Sequence, residues 1–209
     1  MDHKKHYKRE MYLEVVNLES TGKVEEVFCV VAPKTHTFTL ANGVLTSNCF
    51  LFRAEDSRES WADTMSKATS ALMTGGGIGI DYSNLRSEGT VVKRTGGKST
   101  GPIALMHMVN EAGRHIMQGG QRRSAIWAGL NWKHDDVRNF LKLKDHSFEL
   151  KALKEKDFNF PLPMELTNIS VIYDTEFFVA IENPTHPHHE LAKAIWIENC
   201  RQAFSSAEP

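Results

Sequence analysis

The sequence predicts a mixed fold: a small all-β segment over residues 1–48, then the opening part of an α/β domain over residues 49–209. Three observations carry this. Residues 12–46 hold β-branched runs (YLEVVNL, VEEVFCVVA, THTFTL) and no apolar residues at helical spacing. From residue 50 onward, apolar stretches of strand length alternate with amphipathic stretches of helical period, as strand–helix units require. Glycines and prolines fall at the ends of those stretches and punctuate them.

In the first part, Ser20-Thr21-Gly22 separates the first two runs. Thr37 and Thr39, followed by Asn42-Gly43, predict strand, tight turn, strand, because Asn-Gly tolerates the positive φ of such a turn. In the second part, Asp56-Ser57 caps a helix carrying Trp61, Met65, Ala68 and Leu72, and Gly75-Gly76-Gly77 ends it. IGIDY is a short apolar strand, and a polar loop runs from Ser83 to Gly101. Pro102 opens a second helix through Leu105, Met106, Val109, Ala112, Ile116 and Met117, stopped by Gly119-Gly120. SAIWAGLNW reads as a buried strand, and His134-Asp135-Asp136 starts a helix with Val137, Phe140 and Leu141. Residues 145–165 read as irregular; LTNISVIYD is a further strand, and Thr175–Glu182 opens another helix.

Composition narrows the function. The chain has 209 residues, 41% hydrophobic and 24% charged, with a net charge of −1. No charge excess points to nucleic acid or a membrane surface. No apolar run approaches the ~18 residues of a membrane span, and the polar start MDHKKHYKRE is no secretory signal. Cys29, Cys49 and Cys200 are too few for a disulfide framework, so a reducing cytoplasm is expected. His186, His188 and His189 sit in a polar Asn-Pro-Thr-His-Pro-His-His turn and read as a solvated loop, so no metal site is expected. The tail AFSSAEP has no closing element, and the expectation is a segment of a longer protein.

Asn48-Cys49 places two chemistries side by side. An asparagine side chain can attack its own carbonyl, form a succinimide and break the following peptide bond; a thiol at the next position can accept an acyl group as a thioester. The dipeptide alone means little, since Asn199-Cys200 repeats it. On local grounds Cys29 is a small buried apolar residue and His36 a strand-end histidine bonded to backbone. The order Val27-Phe28-Cys29, His36-x-Phe38, then Asn42-Gly43-Val44-Leu45-Thr46-Ser47-Asn48-Cys49, however, resembles the two C-terminal motifs of inteins, which have a Hint-type fold.

That resemblance implies cyclisation at Asn48, acyl transfer to Cys49 and proton transfer by His36, a side chain suited to neutral pH. The sequence departs from the usual pattern at Ser47, where inteins commonly carry His, and at Cys29, where Asp is common. Cys29 with Thr46 resembles the variant that starts the acyl shift from an internal cysteine. An upstream intein and reductase fragment is then the implied partner, either the other half of a split intein or the earlier part of one gene.

From Cys49 onward the sequence resembles the large subunit of ribonucleotide reductases. The residues that carry this are Cys49 with Glu55-Asp56-Ser57, Gly75-Gly76-Gly77-Ile78-Gly79-Ile80-Asp81, Ser83-x-x-Arg86-x-x-Gly89, Ser99-Thr100-Gly101-Pro102, Gln118-Gly119-Gly120-x-Arg122-Arg123-Ser124-Ala125, Trp132-x-His134-x-Asp136 and Asn168-Ile169-Ser170-Val171. The resemblance implies the first part of a ten-stranded α/β barrel that reduces nucleoside di- or triphosphates. It implies Cys49 as one of two redox thiols, Gly76, Gly77 and Arg122 at the substrate, and Asp56, Arg86, Lys93, Gly119 and Gly120 at a deoxynucleotide or ATP effector. A thioredoxin-like reductant is implied, with adenosylcobalamin as the radical source and a di-iron partner subunit as the alternative. On local grounds, Gly75–Gly79 is equally a helix stop and turn, and each arginine a solvated charge. The radical-bearing cysteine and second redox thiol of the family match nothing here; Cys200 is followed by Arg201-Gln202. Three readings stay open: an intein-interrupted reductase, a splicing element alone, and an inactive gene fragment.

Overall fold

The structure is a computed structural model that describes residues 37–39, 45–47, 49–93, 95–118 and 122–208; residues 37–39, 45–47, 118 and 122 are described by backbone alone. Strands β1 (Thr37–Thr39) and β2 (Leu45–Ser47) pair antiparallel, Phe38 opposite Thr46, in a register symmetric about position 42. The two strands thus fall where expected. The Asn42-Gly43 turn, the runs YLEVVNL and VEEVFCVVA, and Cys29, His36 and Asn48 lie outside the described residues.

The rest alternates as the sequence predicts: β3 (Phe50–Arg53), α1 (Arg58–Met73), β4 (Ile78–Asp81), α2 (Gly101–Arg114), β5 (Met117–Gln118), β6 (Arg122–Arg123), β7 (Ile126–Asn131), α3 (Val137–Leu141), α4 (Phe148–Lys156), β8 (Thr167–Ile172), α5 (Thr175–Glu182) and α6 (His189–Ser206). Strands β3, β4, β7 and β8 form one four-stranded sheet in that order, each parallel to its neighbour. Adding every strand on the same side of the last is how a barrel wall grows; a doubly wound sheet reverses direction.

Alternation along the strands divides the sheet into two faces. Ile78, Ile80, Ile126, Ala128, Leu130 and Ile169 are buried in one core with Leu72, Leu105, Met106, Phe140 and Phe177 from the helices. Residues of the other parity line a more open face: Leu51 is 75% exposed, and the register aligns Leu51, Gly79, Trp127 and Asn168 across the strands. Trp127 lies over Gly79 and Gly129 and donates from Nε1 to Ser170 Oγ at 3.0 Å.

Local chemistry sets the helix ends. Ser57 caps α1 by accepting from Ser60 N at 3.0 Å. At its other end Gly75, at φ +88, and Gly76 donate back to the carbonyls of Leu72 and Ala71, satisfying groups the helix leaves open.

Two expectations are corrected. The second helix ends at Arg114, before Ile116 and Met117, and Met117–Gln118 pairs antiparallel with Arg122–Arg123 instead. Ser124 Oγ lies 2.8 Å from the carbonyl of Gly113 and 3.0 Å from that of Ile116, so it satisfies the helix end that local sequence leaves open. Residues 145–165 are not wholly irregular: α4 forms behind the Ser147 cap. None of its residues is buried, so it carries no apolar stripe to betray it.

Candidate functional site

The predicted site residues gather at opposite ends of the sheet. At the end where the strands begin, Cys49 directly precedes β3 and is exposed. Its neighbour across the register is Gly77, where a Cβ would come within 3.1 Å of the Cys49 sulfur. Phe50 N donates to Gly77 O at 2.8 Å and Ile78 N to Ala125 O at 3.0 Å, fixing the three chain segments side by side. Gly77 therefore makes room for the thiol. Gly76 makes room on the opposite side, where a Cβ would overlap the Phe50 ring. Of these two expected substrate glycines, only Gly77 shares the face of the thiol.

The β5–β6 hairpin enters at this same end, ahead of β7. Arg122 pairs there with Gln118 through the backbone, while Gly119 and Gly120 lie outside the described residues.

At the other end, where strands finish, Asp56 and Arg86 meet. Arg86 Nε lies 2.9 and 2.8 Å from the two carboxylate oxygens of Asp56. The guanidinium holds the Asp56 carboxyl below the usual aspartate range, against the opposing effect of burial, and the carboxylate raises Arg86 in turn. A cavity of about 390 Å³ opens beside the pair, walled by Ser57, Arg58, Trp61, Lys98, Ser99 and Thr100. An adjoining one of about 510 Å³ shares Asp56 and Arg86 and reaches Lys93. Four cations thus surround the N-terminus of α1, whose free N–H groups and dipole favour an anion. Trp61 adds an apolar wall, and Asp56 an acceptor for hydroxyls.

The loop bearing Arg86 is held by residues whose part the sequence did not reveal. His134 Nε2 lies 2.7 Å from the carbonyl of Leu85, and its Nδ1 accepts from Asp136 N at 3.0 Å. Since Nδ1 accepts, Nε2 carries the proton and donates to Leu85. Asp136 Oδ2 accepts from Glu88 N at 2.9 Å. Both flanks of Arg86 are therefore tied to the segment after β7. The packing explains Gly101, at φ +71: a Cβ there would stand 2.8 Å from Asp136 Oδ2. The Trp132-x-His134-x-Asp136 spacing was the available signal, but nothing in it names Leu85 or Glu88 as partners.

Strands of four residues at roughly 3.3 Å per residue put about 13 Å between the two ends. The thiol and the Asp56–Arg86 cleft are thus separate places on one sheet. No group of three or more His, Cys, Asp or Glu able to hold a metal occurs among the described residues. His189 Nδ1 lies 2.9 Å from Ala180 O, and His186 Nδ1 accepts from His188 N at 3.2 Å. No helix of the described residues is long and apolar enough to cross a membrane.

Comparison with known proteins shows the family of this sheet and its helices. The family described as "Ribonucleotide reductase, barrel domain" matches residues 47–196. A vitamin B12-dependent ribonucleoside-diphosphate reductase of Thermoplasma acidophilum is 31% identical over 174 residues, covering 78% of this chain and 21% of the relative. A protein of the same description from Mycobacterium tuberculosis is 35% identical over 103 residues, covering 49% of this chain and 15% of the relative. The ribonucleoside-diphosphate reductase large chain of Cryptosporidium parvum is 39% identical over 106 residues, or 49% and 13% of the two chains. The alpha subunit of the class Id ribonucleotide reductase of Actinobacillus ureae shares the fold, with a TM-score of 0.59 at 15% identity over 77% of this chain and 26% of that one. The chain thus spans 21% or less of these curated relatives. A parallel sheet growing in one direction, matched over residues 47–196, places this chain in the ribonucleotide reductase family as part of its barrel domain.

Proposed function

We propose that residues 49–209 are the first part of a nucleotide-reducing barrel and that residues 1–48 are the C-terminal segment of an intein, removed by splicing between Asn48 and Cys49. The observation that carries the reading is the position of Cys49: exposed, at the start of β3, opposite Gly77 on the open face of the sheet. A thiol there is free to accept an acyl group while the upstream segment is attached, and free to serve as reductant afterwards.

In the reduction, Cys49 and a second thiol from the rest of the enzyme give up two electrons and two protons and join as a disulfide. The ribose 2′-hydroxyl leaves as water and C2′ gains hydrogen; a thioredoxin-like protein then restores the thiols. The substrate is a nucleoside di- or triphosphate, with Gly77 and Arg122 beside it. The Asp56–Arg86 cleft takes a deoxynucleoside triphosphate or ATP as effector: Arg86, Lys93 and Lys98 meet the phosphates and Asp56 the sugar hydroxyl. The hairpin around Gly119 and Gly120 carries the effector's identity from one end of the sheet to the other, as coupling between two sites requires.

Adenosylcobalamin supplies the radical in the complete enzyme on this reading, supported by the names of relatives rather than by any residue here. The clefts of this chain are lined for phosphate and sugar, and none of its residues is assigned to the cofactor. A reducing cytoplasm suits both halves of the proposal.

In the splicing, Cys29 starts the acyl shift, His36 moves the proton with Thr46 beside the junction, and Asn48 cyclises. Co-expression with the preceding fragment tests this. A ligated product that lacks residues 1–48 and begins its new segment at Cys49 is expected; persistence of the full 209-residue chain would overturn it.

A further inference from the structure

The β5–β6 hairpin is held at two points, and the partner at the second, Phe158, lies outside the Gln118–Ala125 motif. At its root, Ser124 is buried and bonds to the end of α2. One residue earlier, the Arg123 guanidinium carbon lies 5.4 Å from the centre of the Phe158 ring. Lys154 sits 5.3 Å from the same ring. Lys154 is itself fixed, to Glu165 and to the carbonyl of Phe160 at 3.0 Å. Glu165 in turn lies 3.6 Å from Arg114 Nη1 at the end of α2, and Arg114 Nη2 donates to Leu162 O at 3.0 Å. A cavity of about 360 Å³ lies among Arg114, Arg123, Lys154, Phe158 and Glu165, so the hairpin does not rest on packed core at this point.

Phe158 is 72% exposed, so its ring is open to approach by charged side chains. The two cations at that ring are anchored differently: Lys154 by ion pairing within its own segment, Arg123, among the described residues, by the hairpin that carries it. A cation over an aromatic face is held electrostatically and adjusts easily, which suits a movable contact better than an interlocked core residue.

From this geometry we infer that Phe158 is a positioning residue: through Arg123 it sets the resting place of the paired strands β5 and β6. This deepens the proposed function, since on that reading the hairpin links effector to substrate. The segment after α4 thereby becomes a determinant of which substrate each effector favours.

Amide hydrogen exchange on the full 209-residue chain tests it, with Phe158→Leu, which keeps apolar bulk but loses the ring face, and Phe158→Trp, which keeps the face. In Phe158→Leu, exchange at Met117, Gln118, Arg122 and Arg123 should rise about two- to fivefold, the population change expected from losing one exposed cation–π contact. Phe158→Trp should restore it, and the amides of β4 and β7 should be unaffected in both. Unchanged hairpin exchange in Phe158→Leu overturns the inference. Equal loosening in Phe158→Leu and Phe158→Trp also overturns it, because bulk packing would then be the cause. Repeating the measurement with deoxythymidine triphosphate separates the two levels. If the nucleotide protects the Arg86 loop yet the hairpin responds alike in all three proteins, the inference falls and the effector site stands. If the nucleotide protects nothing, the effector reading falls, and the role of Phe158 is decided by the exchange without nucleotide.

Discussion

His134 donates from Nε2 to the carbonyl of Leu85 at 2.7 Å, binding the residue next to Arg86 from the far side of β7. The two residues are 49 positions apart, and His134 is nearly buried, its side chain 7% exposed. Replacing it strands a carbonyl that water reaches poorly. His134→Ala should lower the stability of residues 49–209 by about 1–3 kcal/mol, the cost of an unsatisfied buried group. It should also weaken deoxynucleotide binding about tenfold, as Arg86 loses its fixed place. Thermal unfolding and titration calorimetry measure the two effects, and the stated stability loss with unchanged affinity would separate the loop from the site.

The Asp56–Arg86 pair has a defined pH signature. The Asp56 carboxyl titrates below its ordinary range because Arg86 bonds its charged form. Its contribution to stability is therefore fully present above the ordinary aspartate value and disappears only as pH falls through the lowered one. Both side chains are more than a third exposed, so that contribution is small and salt-sensitive. The larger effect is on selectivity. In Asp56→Asn, Arg86 remains for phosphate while the hydroxyl acceptor is weakened, so tripolyphosphate binding should persist and the preference for deoxynucleotides over tripolyphosphate should fall about tenfold. Arg86→Gln should do the reverse, weakening both ligands alike.

Glycines at the two ends of the sheet should respond differently to one added methyl. Gly77→Ala presses a Cβ against the Cys49 sulfur and should change how fast a thiol reagent modifies Cys49, at little cost in stability because the exposed sulfur can shift by a few tenths of an ångström. Gly101→Ala combines a left-handed backbone with a contact 2.8 Å from Asp136 Oδ2, and should cost at least as much while leaving Cys49 modification unchanged. Mass spectrometry of the labelled chain, alongside melting curves, distinguishes them.

The double duty proposed for Cys49 is separable. With the upstream fragment present, Cys49→Ser should still ligate, more slowly, because a hydroxyl accepts acyl groups less readily than a thiol. The assembled enzyme from that variant should show no nucleotide reduction. Asn48→Ala should stop release of residues 1–48 altogether, and Cys29→Ala should stop it before any branched intermediate accumulates. Gel analysis of the co-expressed pair reads all three.

Much of this was legible in one dimension. Helical spacing from Trp61 to Leu72, the Ser57 cap and the glycines behind Met73 give α1 its limits, because those signals act within a turn or two of backbone. The apolar runs at Ile78–Asp81, Ile126–Asn131 and Thr167–Ile172 similarly identify strands buried beneath helices. The end of α2 was not legible, since Ser124 terminates it from outside, and α4 was hidden because it buries nothing.

Residue types and their order by themselves determined the chemistry on offer: a thiol beside an asparagine, an aspartate and an arginine in a polar setting, a glycine-flanked hairpin. The tertiary structure alone decided who meets whom. Parallel register brings Gly77 under the Cys49 sulfur, and α1 and the loop after β4 bring Asp56 and Arg86 together across 30 positions. It also assigns Gly76 to the Phe50 ring and Arg123 to Phe158. The reason is range: caps and periodicity are set by neighbours in the chain, whereas a pair distant in sequence becomes a pair only when packing of the whole sheet fixes the position of both partners.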